Sequence, residues 1–228
     1  MKLSVIIPVY NEANTIVEVV NRVLAVNIDK EIIIVDDGSY DGTSELLNEI
    51  KGDNIKVIRH PKNLGKGAAI STGLKFVSGD IVIFQDADLE YNPREYSNLI
   101  APIVNGYADI VYGSRFSHAS LGKTHSFWNF LGNKFLTFVT NILYNTTLTD
   151  METGYKVFRT DVIKKFSFKS KGFSIEPEIT AKIFKAKKYR VCEIPISYFG
   201  RSYKEGKKIT WRDGFEALFT LFWRRFFN

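Results

Sequence analysis

The chain has 228 residues, 45% of them apolar and 25% charged, with a net charge of +6 and a pI of about 9.2. That balance is ordinary for a globular protein and excludes a disordered or low-complexity chain. The one cysteine, Cys192, excludes an intrachain disulfide, and the scattered His60, His118 and His125 suggest no zinc site. No run approaches the roughly 18 apolar residues of a membrane-spanning helix. Charge is unevenly spread: residues 1–110 hold 10 Lys+Arg and 16 Asp+Glu, net −6, so residues 111–228 are net +12. An acidic half suits a cation; a basic half suits an anionic partner.

In chain order, Met1–Pro8 is too short and too soon broken by proline for a leader, and reads as the start of a first strand. Apolar runs at Leu3–Val9, Glu31–Val35, Lys56–Arg59, Asp80–Phe84 and Ile110–Tyr112 predict strands buried on both faces of a parallel sheet. Helical patterns lie between them at about 12–26, 41–51, 66–77 and 93–105. The alternation predicts a doubly wound α/β sheet with helices on both faces, whose ligands sit beyond the carboxyl ends of the strands. A helix is expected at about 126–144, strands at 153–158 and 189–199, a helix near 176–187 and a final helix from about 208 to 226. The expected organisation is one domain over 1–228: a nucleotide-binding half (1–112), an acceptor half (113–207) and a C-terminal amphipathic helix (208–228).

Several polar groups fall at strand ends. Asp86-Ala87-Asp88 follows the fourth strand, with Glu90 two residues on. Carboxylates at i and i+2 converge only where a strand has given way to a turn. Oxygen-only ligands of this kind suit Mg²⁺ or Mn²⁺ shared with a diphosphate, though an isolated pattern this short is more often a solvated turn. Asp36-Asp37-Gly38-Ser39 follows the second strand and offers carboxylates to a base or ribose, while Asp41 is placed to cap the next helix. Asn63-Leu64-Gly65-Lys66-Gly67 opens a helix as phosphate-binding segments do, with Lys66 adding charge. Arg115 follows the fifth strand. Arg201 and Lys207 lie in a basic, glycine-flanked run able to close over a phosphorylated substrate.

Together with Val5–Glu12, Val35–Thr43, Gly113-Ser114-Arg115 and Asp150–Gly154, these segments resemble the inverting glycosyltransferases of family 2, which have a GT-A fold. The closest likeness is to dolichol-phosphate mannose and polyprenol-phosphate glucose synthases. The resemblance implies that Pro8, Tyr10, Glu12, Val35 and Asp37 hold the nucleotide. It implies that Asp86, Ala87 and Asp88 meet diphosphate, sugar and metal, with Glu90 as a further metal ligand. Those synthases typically carry glutamine there, so Glu90 leaves donor and metal geometry open. Asp88, Arg115, Arg201 and Lys207 are the expected catalytic residues. The expected reaction moves a hexose from GDP-mannose or UDP-glucose to a polyprenyl or dolichyl phosphate. A phosphate nucleophile, with a second pKa of about 6, needs no strong base, so Asp150 and Glu152 are expected to orient or support.

The last helix interleaves Trp211, Phe215, Phe219, Phe222, Trp223 and Phe226 with Arg224 and Arg225, as interfacial helices do. Docking on its own domain is the competing expectation. The chain is expected at the cytoplasmic face of a membrane, bound peripherally or through a membrane-anchoring subunit. Alternatives are a family 2 enzyme using a hydroxyl acceptor in cell-surface polysaccharide synthesis and a noncatalytic nucleotide-sugar-binding subunit. Nucleic-acid binding is not expected, because no motif accompanies the basic pI.

Overall fold

The computed structural model describes residues 1–117, 127–201 and 211–227. Seven strands form one sheet: β1 (Leu3–Val9), β2 (Lys30–Asp36), β3 (Ile55–Arg59), β4 (Ile81–Phe84), β5 (Ile110–Ser114), β6 (Lys156–Arg159) and β7 (Val191–Pro195), in the order β3-β2-β1-β4-β6-β5-β7. All neighbouring strands are parallel except β6, which runs antiparallel to both β4 and β5. Alternate side chains of the central strands enter two separate cores. Leu3, Val5, Ile7, Ile32, Ile34, Ile81 and Ile83 face one; Ile6, Ile33, Val35, Val82 and Phe84 face the other. This is why the central strands read as unbroken apolar runs. Each such fully buried side chain contributes roughly 1.5–3 kcal/mol of transfer free energy.

The first core is covered by α1 (Ile16–Leu24), α2 (Thr43–Glu49) and α4 (Tyr96–Val104). The second is covered by α3 (Lys66–Leu74), α5 (Phe127–Tyr144), α7 (Ile175–Ala186) and α8 (Trp211–Phe226). A short helix, α6 (Thr160–Ile163), follows β6. The layered α/β architecture expected from the pattern is present, with two local differences. The third strand is an edge strand, its residues half-buried or exposed, so it is not covered on both faces. The first helix starts at Ile16 rather than near residue 12, because Asn11 takes a left-handed backbone (φ 50°) and turns the chain sharply after β1.

The reversed strand β6 brings the two halves of the chain together. Its register pairs Arg159 with Ile81 and Val157 with Ile83, so its amino end lies at the carboxyl end of β4. The segment before it, Asp150–Tyr155, is thereby carried to the edge where β1, β4 and β5 end.

Helix α8 docks on its own protein through Ala217, Leu221 and Arg224. Arg224 pairs with fully buried Glu178 at 2.6 Å, and the Tyr144 hydroxyl donates to the Leu221 carbonyl at 2.7 Å. Its aromatic stripe nevertheless remains exposed, so docking leaves the apolar face uncovered. Residues 208–210, expected in this helix, lie outside the described residues. Among the described residues, no helix is long and apolar enough to cross a membrane.

Candidate active site

The site is assembled where β1, β2, β4 and β5 end. After β4 the chain turns at Gln85–Glu90, and Leu89 is held at φ 63°, an unfavourable conformation for a bulky residue. The turn lets the Glu90 N–H donate to the Asp88 carboxylate at 3.1 Å. Asp88 is half-buried beside Asp86 and Glu90; desolvation first, then those two like charges, push its carboxyl up to about 8. Ala87 is buried, and its carbonyl accepts from the Thr15 hydroxyl at 2.6 Å.

Two cations answer this acidic turn. Lys66, in the first turn of α3, reaches Asp86 at 2.7 Å and Glu176 at 3.3 Å. Burial works against its charge, but Asp86 and Glu176 outweigh it and keep its pKa raised. Arg201 makes a two-pronged pair with Glu12 at 3.0 Å on each arm, reaches Asp88 at 3.3 Å, and donates its backbone N–H to Glu90 at 2.6 Å. The other Glu90 oxygen accepts from the Tyr198 hydroxyl at 2.7 Å. The structure thus brings Glu12, Asp86, Asp88, Glu90, Lys66 and Arg201 together, across a sequence separation of up to 189 residues.

Among the described residues, no three acidic, histidine or cysteine side chains form a preformed metal cage. Asp86 pairs with Lys66, Asp88 with the Arg201 guanidinium, and Glu90 with the Tyr198 hydroxyl and the Arg201 main chain. Lys66 likewise serves Asp86 and Glu176 here.

Arg115, just past β5, is held differently. Its guanidinium donates to both oxygens of fully buried Asp150 at 2.7 and 2.8 Å, and its backbone N–H adds a third bond at 3.0 Å. Asp150 outweighs the cost of burial and keeps the arginine's pKa raised. With its oxygens so occupied, Asp150 positions Arg115. The Asp150 and Thr149 N–H groups donate in turn to Glu193 on β7, which sequence reasoning missed. Glu152 is the exception in this loop. Its Oε1 is buried with no hydrogen-bond partner among the described residues, and burial, then the nearby Glu176 against the opposing pull of Lys156, raises its carboxyl to about 7.

The nucleotide end is framed by the β1 and β2 termini. Tyr10 packs edge-on against Tyr40 with ring centroids 6.1 Å apart. Pro8, beside Val35 in the register, is half-buried; Val35 is inside the core, leaving only its main chain for a ligand. Asp37 accepts from His60 at 2.6 Å and from the N–H groups of Leu64 and Gly65 at 2.9 and 2.7 Å, pulling the glycine loop against the site. His60 was legible only as a scattered histidine. Asp41 accepts from the Thr43 N–H at 3.1 Å and so caps α2, although Gly42 is the formal cap residue. Gly65 (φ 97°) and Gly67 are required because the Lys171 and Ser170 carbonyls occupy the space of any Cβ. Tyr91 and Tyr198, also unforeseen, bridge the two halves: Tyr198 lies under Arg115, 5.1 Å from ring centroid to guanidinium carbon, and binds Glu90. Lys207 lies outside the described residues.

Residues 4–167 match the family model described as glycosyl transferase family 2. The chain belongs to that family. Two relatives of this transferase are a dolichol-phosphate mannosyltransferase of Pyrococcus furiosus and a UDP-N-acetylglucosamine–dolichyl-phosphate N-acetylglucosaminyltransferase of Methanococcus voltae. The first is 34% identical over 91% of this chain, but only 59% of that relative's length is spanned. The second is 32% identical over 96% of this chain and 94% of the relative. A glucosyl-3-phosphoglycerate synthase of Mycobacterium tuberculosis, solved with Mn²⁺ and UDP, superposes with a TM-score of 0.76 at 20% identity, over 98% of this chain and 80% of that one. The transferase therefore has the GT-A fold, with one antiparallel strand, β6, set within an otherwise parallel sheet.

Proposed function

We propose that this glycosyltransferase moves a hexose or N-acetylhexosamine, with inversion, from a nucleotide-sugar to a polyprenyl or dolichyl phosphate. The Pyrococcus and Methanococcus relatives are named for dolichyl-phosphate acceptors but for different sugars, so the acceptor class is carried over and the donor sugar is left to experiment. The observation that carries the reading is that two guanidiniums stand near the acidic turn: Arg115 lies over Tyr198, whose hydroxyl binds Glu90, and Arg201 reaches Asp88 and Glu90. Two phosphorylated substrates need two such cations, and planar forks bind phosphate oxygens in pairs.

A divalent cation fits the donor set. Asp86 and Asp88 offer carboxylate oxygens only, and desolvation first, then the neighbouring Asp86 and Glu90 charges, raise Asp88's pKa. Mg²⁺ commonly takes one or two carboxylates and completes its shell with phosphate and water, so no three-carboxylate cage is required. Bound there, Mg²⁺ or Mn²⁺ would neutralise the departing diphosphate. The chain's own residues do the remainder. Asp88 and Asp86 orient the donor, Arg115 is fixed by Asp150 to meet a phosphate, and Arg201 exchanges Glu12 and Asp88 for substrate oxygens. Lys207 is proposed to join Arg201. An ionised lipid phosphate supplies its own nucleophile, consistent with Asp150 being fully engaged.

The membrane part of the reading is supported by α5 and α8 together. They pack side by side, joined by the Tyr144–Leu221 bond. Each leaves one stripe uncovered: Phe127, Leu131, Phe135, Phe138 and Ile142 on α5, and Trp211, Phe215, Phe219, Phe222 and Phe226 on α8. Paired aromatic stripes flanked by arginine suit the headgroup layer of a cytoplasmic-face bilayer, or an anchoring subunit within it.

The test is a screen of GDP-mannose, UDP-glucose and UDP-N-acetylglucosamine with a short polyprenyl phosphate, with Mg²⁺, Mn²⁺ or chelator. Glycolipid formed only with metal is expected; no glycolipid from any donor rejects the proposal. Flotation with anionic vesicles, comparing the protein with a Phe138→Ser, Phe219→Ser, Trp223→Ser variant, tests the surface. Equal flotation removes it.

A further inference from the structure

Among the described residues, the carboxylates around the cleft are paired with one exception. Glu12 holds Arg201, Asp86 holds Lys66, Asp150 holds Arg115, and Glu176 holds Lys156 at 2.5 Å. Glu90 takes the Tyr198 hydroxyl and the Arg201 N–H, and Asp88 shares Arg201. Glu152 has no such partner among them: its Oε1 is buried and unbonded, and the next residue, Thr153, buries an unbonded hydroxyl as well. Leaving a buried polar atom without a hydrogen bond costs about 1–3 kcal/mol, which the nearby Lys156 and Arg115 charges offset only in part. We propose that Glu152, with the Thr153 hydroxyl, forms the subsite that receives the hydroxyls of the donor's sugar ring. This rests on the nucleotide-sugar reading of the site.

Position supports it. The loop is fixed at both ends: the Asp150 N–H donates to Glu193 at 3.2 Å, and the Gly154 N–H donates to the Tyr91 hydroxyl at 2.8 Å. One end carries Asp150 and hence Arg115. At the other, Gly154 lies so close to Asp86 that any Cβ would collide with its carboxylate. Glu152 therefore stands between Arg115, assigned to a substrate phosphate, and Asp86, assigned to the donor, whose sugar is one bond away from its diphosphate. Its chemistry also selects the ligand. Glu176 and Asp150 nearby add negative charge to the corner, against the positive charge of Lys156 and Arg115. A carboxyl poised near neutrality donates and accepts, as a sugar hydroxyl does. A neutral polyol fits these groups.

The test is calorimetric binding in Mg²⁺ with no acceptor present, using the whole chain and the Glu152→Ala and Glu152→Gln variants. UDP and GDP serve as references for UDP-glucose, UDP-N-acetylglucosamine and GDP-mannose. For whichever nucleotide-sugar binds tightest, Glu152→Ala is expected to weaken affinity by roughly 10- to 100-fold, while its nucleoside diphosphate changes by less than about threefold. Glu152→Gln, which keeps a donor and an acceptor and is expected to fold at least as well, should lose less. Equal weakening of nucleotide-sugar and nucleoside diphosphate, or unchanged sugar affinity with a lower kcat for every donor, overturns the proposal. If no nucleotide-sugar binds the unaltered protein, the donor reading fails first. If binding behaves as expected but no lipid phosphate is glycosylated, only the acceptor reading falls.

Discussion

The acidic turn after β4 and the loop before β6 lie against one another, yet they treat buried charge in opposite ways. Around the turn, five carboxylates from three segments (Glu12; Asp86, Asp88 and Glu90; Glu176) divide Lys66 and Arg201 among them. The side chains of Asp86, Asp88 and Arg201 keep 19%, 18% and 16% of their surface in contact with solvent. In the loop, Asp150 is wholly buried and gives both oxygens to one arginine. Divided, partly solvated pairs are cheap to exchange for a ligand. A wholly buried carboxylate confined to one arginine is costlier to separate and therefore fixes geometry. The turn is built to trade partners, the loop to hold one.

Four substitutions sharpen or break that contrast. Asp88→Ala is expected to lower transfer by roughly 10²–10³-fold or more while leaving the circular dichroism spectrum unchanged. Near-normal turnover would refute its role at the diphosphate. Asp150→Ala should act through stability: stranding the Arg115 guanidinium costs about 3–5 kcal/mol, read as a lower denaturation midpoint in urea. A loss below about 1 kcal/mol would mean that the loop is no scaffold. Arg201→Ala should reduce kcat/KM about 10- to 100-fold with little change in melting temperature, since its ion pairs are partly solvated. A large melting shift would place Arg201 with the scaffold instead.

The smallest effect concerns pH. Glu152's carboxyl lies near 7 in the folded chain, against an ordinary 4.5. Its folded pKa is raised, so folding favours the proton. The contribution is complete below about pH 4.5 and is lost as pH rises through about 7. Glu152→Gln keeps a neutral group throughout. Relative to that variant, the wild-type protein should lose on the order of 1–2 kcal/mol between pH 4.5 and 8. Parallel stability curves for the two would show that Glu152 is not buried as described.

Much of the first half was legible from pattern. Unbroken Ile and Val runs named β1, β2 and β4, because a strand covered on both faces has no polar side to betray its period. The same rule misread β3, whose apolar residues lie at an edge, since run composition does not report strand order. Asp86, Asp88 and Arg115 were found because they sit just after apolar runs, where parallel strands open to ligands. Their partners were not: Glu193 is 43 residues from Asp150, and Tyr198 is 108 from Glu90. His60 and Tyr91 carried no motif at all.

By itself the sequence determined the α/β layering, the strand-end positions of the acidic and basic groups, and an aromatic final helix, since each depends on local periodicity or on neighbours within a few residues. Only the tertiary structure decided which carboxylate meets which cation, and that Glu152 meets none among the described residues. The antiparallel entry of β6 sets that outcome, carrying residues 150–154 to the carboxyl end of β4, and strand direction is fixed by packing across the whole sheet.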